Sequence, residues 1–252
     1  MELNNKISER SYKQVFAEDG HIIKLFAPKY SKSAIFNEAL NQTRLEASSL
    51  NVPKIISVQE INGQWAIISQ QIIGKTLAQL IASDDVNEAH WVTLFVDLLI
   101  EIQKQEVEFL NPLNDKLIQK IARSPLKPTM RMSLINDFKM WPHKKQVVHG
   151  DYNPENIILD EQGQIWIFDW AHVTEGDGLY DAAKSYLWLN IHQQPDFATA
   201  FIHEYCEKSG TSIDTINIWL PVVAASIMAT AISEKSKSYL MSVINNRHPE
   251  VK

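Results

Sequence analysis

The stretch from Val147 to Trp170, VVHGDYNPENIILDEQGQIWIFDW, limits what this chain can fold into more than any other. Two short apolar runs, Ile157-Ile158-Leu159 and Ile165-Trp166-Ile167-Phe168, flank the polar Asp160-Glu161-Gln162-Gly163. Branched and aromatic runs of this length, separated by turn residues, predict a β-hairpin. A turn centred on Gln162-Gly163 sets Asn156, entering the first strand, opposite Asp169, leaving the second. Opposed residues sit roughly 4.5 to 5.5 Å apart at Cα, so this register brings two oxygen-bearing side chains to one point. Asp151 comes five residues before Asn156, on a loop whose backbone Pro154 restrains. An amide and a carboxylate beside a separate carboxylate suit a hard cation such as Mg²⁺ and a base for a hydroxyl proton.

The pattern His149-x-Asp151-x-x-x-x-Asn156, followed by a hairpin that ends in Asp169, resembles the kinase-like aminoglycoside phosphotransferase family. That family includes choline kinases and other small-molecule kinases. The resemblance runs from about residue 8 to residue 190 and is sharpest over 147–181. It implies an α+β, protein-kinase-like two-lobed fold, with a small antiparallel-sheet lobe over 1–72 and a larger, mostly helical lobe over 73–252. It also implies ATP and Mg²⁺. Asp151 then orients the acceptor hydroxyl and takes its proton, while Asn156 and Asp169 hold Mg²⁺ against the phosphates. On the same resemblance His149 is a hydrogen-bonding residue behind the loop, and Asp181 is a structural carboxylate that binds the loop's backbone. Trp170-Ala171 follows the metal aspartate where protein kinases have Phe-Gly, so no switching of this segment is expected.

In the first lobe, Asp19-Gly20 lies between Val15-Phe16 and Ile22-Ile23-Lys24-Leu25-Phe26, a strong hairpin signal. Lys24 shares a strand face with Ile22 and Phe26, which aims a charge from among apolar side chains into a cleft. By resemblance Lys24 holds the nucleotide phosphates. Residues 31–50 read as a helix, and either Glu38 or Glu46 pairs with Lys24, Glu38 being the better match. Strands over 54–59 and 64–69 meet at Asn62-Gly63 and complete a five-stranded sheet. The resemblance puts the adenine edge against backbone between Gln70 and Gly74, with Gln70 and Ile72 as its contacts. Ser8 to Val15, SERSYKQV, has no glycine where protein kinases have a glycine-rich loop, and Ser11 stands as the phosphate contact there.

In the second lobe, Val92, Phe95, Val96, Leu99 and Ile102 form a core stripe on a helix over 87–104. Shorter helices are predicted over 76–82, 113–122 and 129–139. Further helices follow over 179–191, 196–208, 213–231 and 233–246. Tyr186 and Trp188 resemble aromatic residues that choline kinases place near a cationic substrate, although aromatics at helical spacing ordinarily pack in a core.

Charge narrows the partners. Residues 1–71 carry 8 Lys and Arg against 7 Asp and Glu, whereas residues 72–252 carry 16 against 23. A net charge of −6 disfavours a nucleic-acid backbone. The acidic second lobe, with Glu175 and Asp177 following Asp169 closely enough to line the cleft mouth, predicts a small hydroxylated acceptor that is neutral or cationic. The single cysteine, Cys206, fits a reducing compartment and reads as a small buried residue. No apolar stretch reaches membrane-spanning length and the N-terminus has no signal-like core, so a cytoplasmic protein is expected. Oligomeric state is not legible. Two other readings differ in class. One is a catalytically silent nucleotide-binding module, disfavoured because Lys24, Asp151, Asn156 and Asp169 are all present. The other is a metallohydrolase using His149, Asp151, Asp169 and His172, which lacks the grouped ligands such enzymes need.

Overall fold

The computed structural model describes residues 3–10, 12–83, 88–142, 144–230 and 232–247. It divides into two compact units. One comprises Met1–Ser83, Val107–Phe109 and Pro154–Val173; the other comprises Asp84–Glu106, Leu110–Asn153 and Thr174–Lys252. Residues 154–173 therefore group with the first unit.

The first unit opens with β1 (Lys6–Arg10), β2 (Lys13–Glu18), β3 (His21–Phe26), α1 (Lys32–Leu45), β4 (Ile55–Ile61) and β5 (Gln64–Gln70). The strands form an antiparallel sheet in the order β1-β2-β3-β5-β4. Two turns decide it. Asp19 and Gly20 have φ of 49° and 76°, and Asn62 and Gly63 have 51° and 78°. Consecutive positive φ values make the tight turn whose twist matches that of the flanking strands. The sheet has the five strands expected, and the one the sequence did not locate is β1: most of the span read as a phosphate loop is β1 and β2, with Arg10 paired to Lys13. One sheet face buries Phe16, Ile23, Leu25 and Ile68, and Phe26 and Ile67 pack with Ile35 and Ala39 of α1. Helix α1 starts on the Ser31 side chain, which accepts from Ala34 N. It stops at Leu45, not Leu50, because Ser48 donates its backbone N–H and hydroxyl to Leu45 O.

Next come β6 (Gly74–Thr76) and α2 (Leu77–Ser83). The second unit then supplies α3 (Glu88–Lys104), α4 (Leu113–Arg123), α5 (Pro128–Lys139) and β7 (Gln146–Val148). The chain returns to the first unit for β8 (Ile157–Asp160) and β9 (Ile165–Ile167), which extend β6 into a three-stranded sheet. Finally the second unit adds β10 (Thr174–Gly176), paired with β7, and α6 (Leu179–Ile191), α7 (Pro195–Ser209), α8 (Ile213–Ile227) and α9 (Glu234–Arg247). Its core takes the predicted α3 stripe, with the Phe95 ring stacked on Tyr152 at 4.5 Å and tilted against Phe201 at 4.9 Å. Cys206 is half-buried rather than buried. Among the described residues no helix is long and apolar enough to cross a membrane.

The β8–β9 hairpin exists, but its register is one residue away from the predicted one. Ile157 pairs with Ile167 and Ile158 with Trp166. Asp160 is the cause. Its backbone N–H donates to Gln164 O, and its carboxylate accepts from Gln162 N and Gln164 N. These bonds, with Gly163 at φ 77°, close a three-residue loop where two were assumed. Asn156 therefore faces Phe168, whose N–H donates to Asn156 O. Asp169 leaves the strand in left-handed backbone, at φ 63° and ψ 52°.

Candidate active site

In the first unit, three of the predicted residues meet through Lys24. Its Nζ lies 2.7 Å from Glu38 Oε1 and 3.0 Å from Asp169 Oδ1. Glu46 is engaged elsewhere, accepting from Ile55 N at 2.7 Å, which settles the choice between the two acids. Burial alone would lower the pKa of Lys24, but Asp169 and Glu38 outweigh it and hold the ammonium above its usual value. Reciprocally, Lys24 and then Lys13 hold the Asp169 carboxyl well below the usual carboxylate range, against the effect of burial. The cluster borders a cavity of about 380 Å³ whose lining includes Lys13, Lys24, Gln70, Ile72, Asn156 and Asp169. Val15, Ala17, Ile22, Ile158 and Phe168 give it apolar walls. Ser11 lies outside the described residues; Ser8 and Arg10 of β1 line the cavity.

In the second unit the loop after β7 is bonded to α6 and α3. His149 N and Gly150 N donate to the two oxygens of Asp181 at 2.6 and 2.9 Å, as the resemblance implied. Burial pushes the Asp181 carboxyl up to about 7, although both bonds oppose that shift. His149 is fully buried and its Nδ1 accepts from Asp151 N at 3.1 Å, a structural role that leaves Nε2 to carry the ring proton. Tyr152 donates its hydroxyl to Phe95 O at 2.6 Å, and burial raises its pKa well above the usual value. Lys184 donates to Asp151 Oδ1 at 2.7 Å and to Gly150 O at 2.6 Å.

The donor set fits Mg²⁺. The side chains of Asn156 and Asp169 offer hard oxygens at one cavity, and Mg²⁺ typically takes one or two protein ligands and completes its shell with water and phosphate oxygens. Among the described residues there is no cluster of three or more His, Cys, Asp or Glu placed to hold a metal.

Residues 3–215 match the model of the phosphotransferase enzyme family. The chain belongs to this family. Similar solved structures agree in fold. A thermostable mutant of the aminoglycoside phosphotransferase APH(4)-Ia, in apo form, superposes with a TM-score of 0.70 at 14% identity, covering 98% of this chain and 93% of that one. The same enzyme in a ternary complex with AMP-PNP and hygromycin B gives 0.69 at 14% identity, over 96% and 91% of the two chains. LicA in complex with AMP gives 0.59 at 14%, over 98% and 84%. The MAP kinase kinase MKK1/SSP32 of Saccharomyces cerevisiae is 25% identical over 95 residues, 38% of this chain; that stretch spans 16% of the yeast protein.

Within this member of the phosphotransferase family, three lysines escaped the sequence reading. Lys13 is 7% exposed, with Nζ 3.8 Å from Asp169 Oδ1; burial and then Lys24 lower its pKa. Lys184 contacts Asp151 as described. Lys116 on α4 is held down to about 7 by burial, with Lys120 and Lys184 adding to the effect. Asp177 does not line a cleft mouth. It is buried, accepts from Leu179 N at the start of α6 and pairs with Lys144 at 3.6 Å. Trp188 stacks on His192 at 3.8 Å, whereas Tyr186 lines a separate cleft with Asn190 and Tyr239.

Proposed function

We propose that this protein is an ATP-dependent phosphotransferase that moves the γ-phosphate of ATP to a hydroxyl of a small molecule. The observation that carries the reading is the Lys24–Glu38–Asp169 cluster at the border of an apolar-walled cavity. A buried ammonium held charged by two carboxylates is a ready partner for phosphates, and the apolar walls suit a nucleobase. The nucleotides in the neighbouring structures support ATP as donor. In this reading residues 1–72 form the nucleotide lobe and residues 73–252 the acceptor lobe.

Each residue then has a role. Lys24 holds the phosphates and Glu38 fixes Lys24, while Ser11 completes the phosphate end. Gln70 and Ile72 border the base. Asn156 and Asp169 hold Mg²⁺, which when bound neutralises charge on the phosphates. Asp151 orients the acceptor hydroxyl and accepts its proton, a contribution of about 10²- to 10⁴-fold for a general base. The acceptor is small, hydroxylated and neutral or cationic. The excess of acids over 72–252 supports this, as does hygromycin B in a neighbour's structure. We place the protein in the cytoplasm, with neither nucleic acid nor membrane as its partner.

Calorimetry with ATP, with and without Mg²⁺, tests the donor side. ATP consumption across a panel of hydroxylated metabolites and antibiotics tests the acceptor side. Tight Mg²⁺-dependent ATP binding and turnover with a panel member are expected. Binding with no turnover on any acceptor would leave a silent nucleotide-binding module, and failure to bind ATP would overturn the reading altogether.

A further inference from the structure

A single turn of α6 bonds backbone groups of His149, Gly150 and Tyr152. Asp181, Lys184 and Ser185 stand at positions i, i+3 and i+4, hence on one helix face. Asp181 takes the N–H groups of His149 and Gly150. Ser185 donates to Tyr152 O at 2.6 Å. Between them, Lys184 spans from the Gly150 carbonyl to Asp151 Oδ1. Asp181 and Ser185 hold backbone on either side, and of the three residues only Lys184 also reaches a side chain that the proposed chemistry uses.

We infer that Lys184 is a positioning residue for Asp151, fixing Oδ1 and with it the orientation in which the carboxylate meets the acceptor hydroxyl. This rests on the reading of Asp151 as the base. The exposures agree: the lysine side chain is 14% exposed and the Asp151 side chain 32%, so the ammonium is the buried end of the pair. A charge-assisted bond of 2.7 Å is short and directional. It restrains rotation of the carboxylate about its Cβ–Cγ bond. Facing Lys184 are Asp151 on the loop, Tyr180 and Asp181 on α6, and Lys116 on α4. Burial pulls the Lys184 pKa down, but Asp151 and Tyr180 together raise it above its usual value, so the grip is charged at neutral pH.

The lysine also has a cost. A cation beside a carboxylate weakens it as a base. In phosphoryl transfer the transition state is loose and geometry dominates, and a misplacement of about 1 Å costs about 10²-fold. Orientation therefore outweighs the lost basicity.

The test uses the full chain and no identified acceptor. Asp carboxyl carbons labelled with ¹³C are titrated in the wild type, Lys184→Met and Lys184→Arg, with Asp151→Asn assigning the Asp151 signal. Loss of the cation should move the Asp151 titration to higher pH, and arginine should restore it. MgATP hydrolysis, with water as acceptor, should lose at least about tenfold in kcat in Lys184→Met while the KM for ATP stays within about twofold. An unmoved Asp151 titration overturns the inference, as does a fall in kcat matched by an equal rise in KM. Should Lys184→Met fail to fold, Lys184→Gln carries the same measurements. The titration needs no nucleotide, so it judges Lys184 separately from ATP binding, on which the functional reading stands.

Discussion

Replacing Lys24 by Met keeps the length and apolar stem of the side chain and removes the cation that two carboxylates share. The side chains of Lys24, Glu38 and Asp169 are 14%, 8% and 20% exposed, so water and salt screen the cluster weakly. Removing one partner from a buried ion pair costs about 3 to 5 kcal/mol, because the remaining charge stays buried without its counterion. Lys13 remains 3.8 Å from Asp169 Oδ1 and offsets part of that loss, which points to the lower end, about 3 kcal/mol. For a chain of this size each kcal/mol moves Tm by roughly 2 to 4 °C, so a fall of roughly 6 to 12 °C is expected at pH 7.

The pH dependence gives a second check. Asp169 has its folded pKa depressed, first by Lys24. A depressed carboxylate contributes stability that is fully present above its unfolded pKa, about 4, and is lost as pH falls through the folded value. Lys24→Met removes most of that contribution, so the gap to the wild type should be widest at neutral pH and close on acidification below about 4. Urea unfolding of both proteins at pH 7 and under acid conditions measures it. The double variant Lys24→Met, Glu38→Gln should recover part of the loss by removing an orphaned charge. A loss below about 1 kcal/mol at pH 7 would mean the cluster behaves as a solvent-screened surface pair, and a gap that widens in acid would refute the sign of the argument.

Asp151→Ala should lower turnover by at least about 10²-fold while ATP affinity changes little; near-normal turnover with the true acceptor would remove Asp151 as base. Asn156→Ala and Asp169→Ala should each weaken Mg²⁺-dependent ATP binding, with non-additive effects in a double-mutant cycle. Additive losses would mean that the two side chains do not serve one ion. Lys13→Met should weaken ATP binding by roughly tenfold or more, as loss of a charged contact does, and leave adenosine binding alone. Equal losses for both ligands would place Lys13 away from the phosphates.

The tight turns of the first sheet could be read from the sequence because they are decided locally. Asp19-Gly20 and Asn62-Gly63 determine their own turns, and the sheet follows from them. The hairpin register failed for a reason that was also local: the Asp160 carboxylate ties Gln162 N and Gln164 N into a longer loop, and a one-residue slip exchanges the faces of every side chain. Choosing between Glu38 and Glu46 needed the helix end. Glu46 caps α1 and turns to Ile55 N, a bond that periodicity on an uninterrupted helix does not foresee.

The lysines mark the harder limit. Lys184 and Asp151 are 33 residues apart, and a lysine near a helix start ordinarily lies in solvent. Its neighbours nevertheless carry a signal. Leu179, Ala182, Ala183 and Leu187 are all buried, and so are Asp181 and Ser185. A helix apolar over most of its surface that still places an acid, a lysine and a serine on one face must satisfy them against something. The segment best suited to receive them is one with exposed backbone groups and a carboxylate, and the loop at His149-Gly150-Asp151 has both. On that argument the polar triplet of α6 is the loop's counterpart: Asp181, Lys184 and Ser185 each find their partners on His149 to Tyr152.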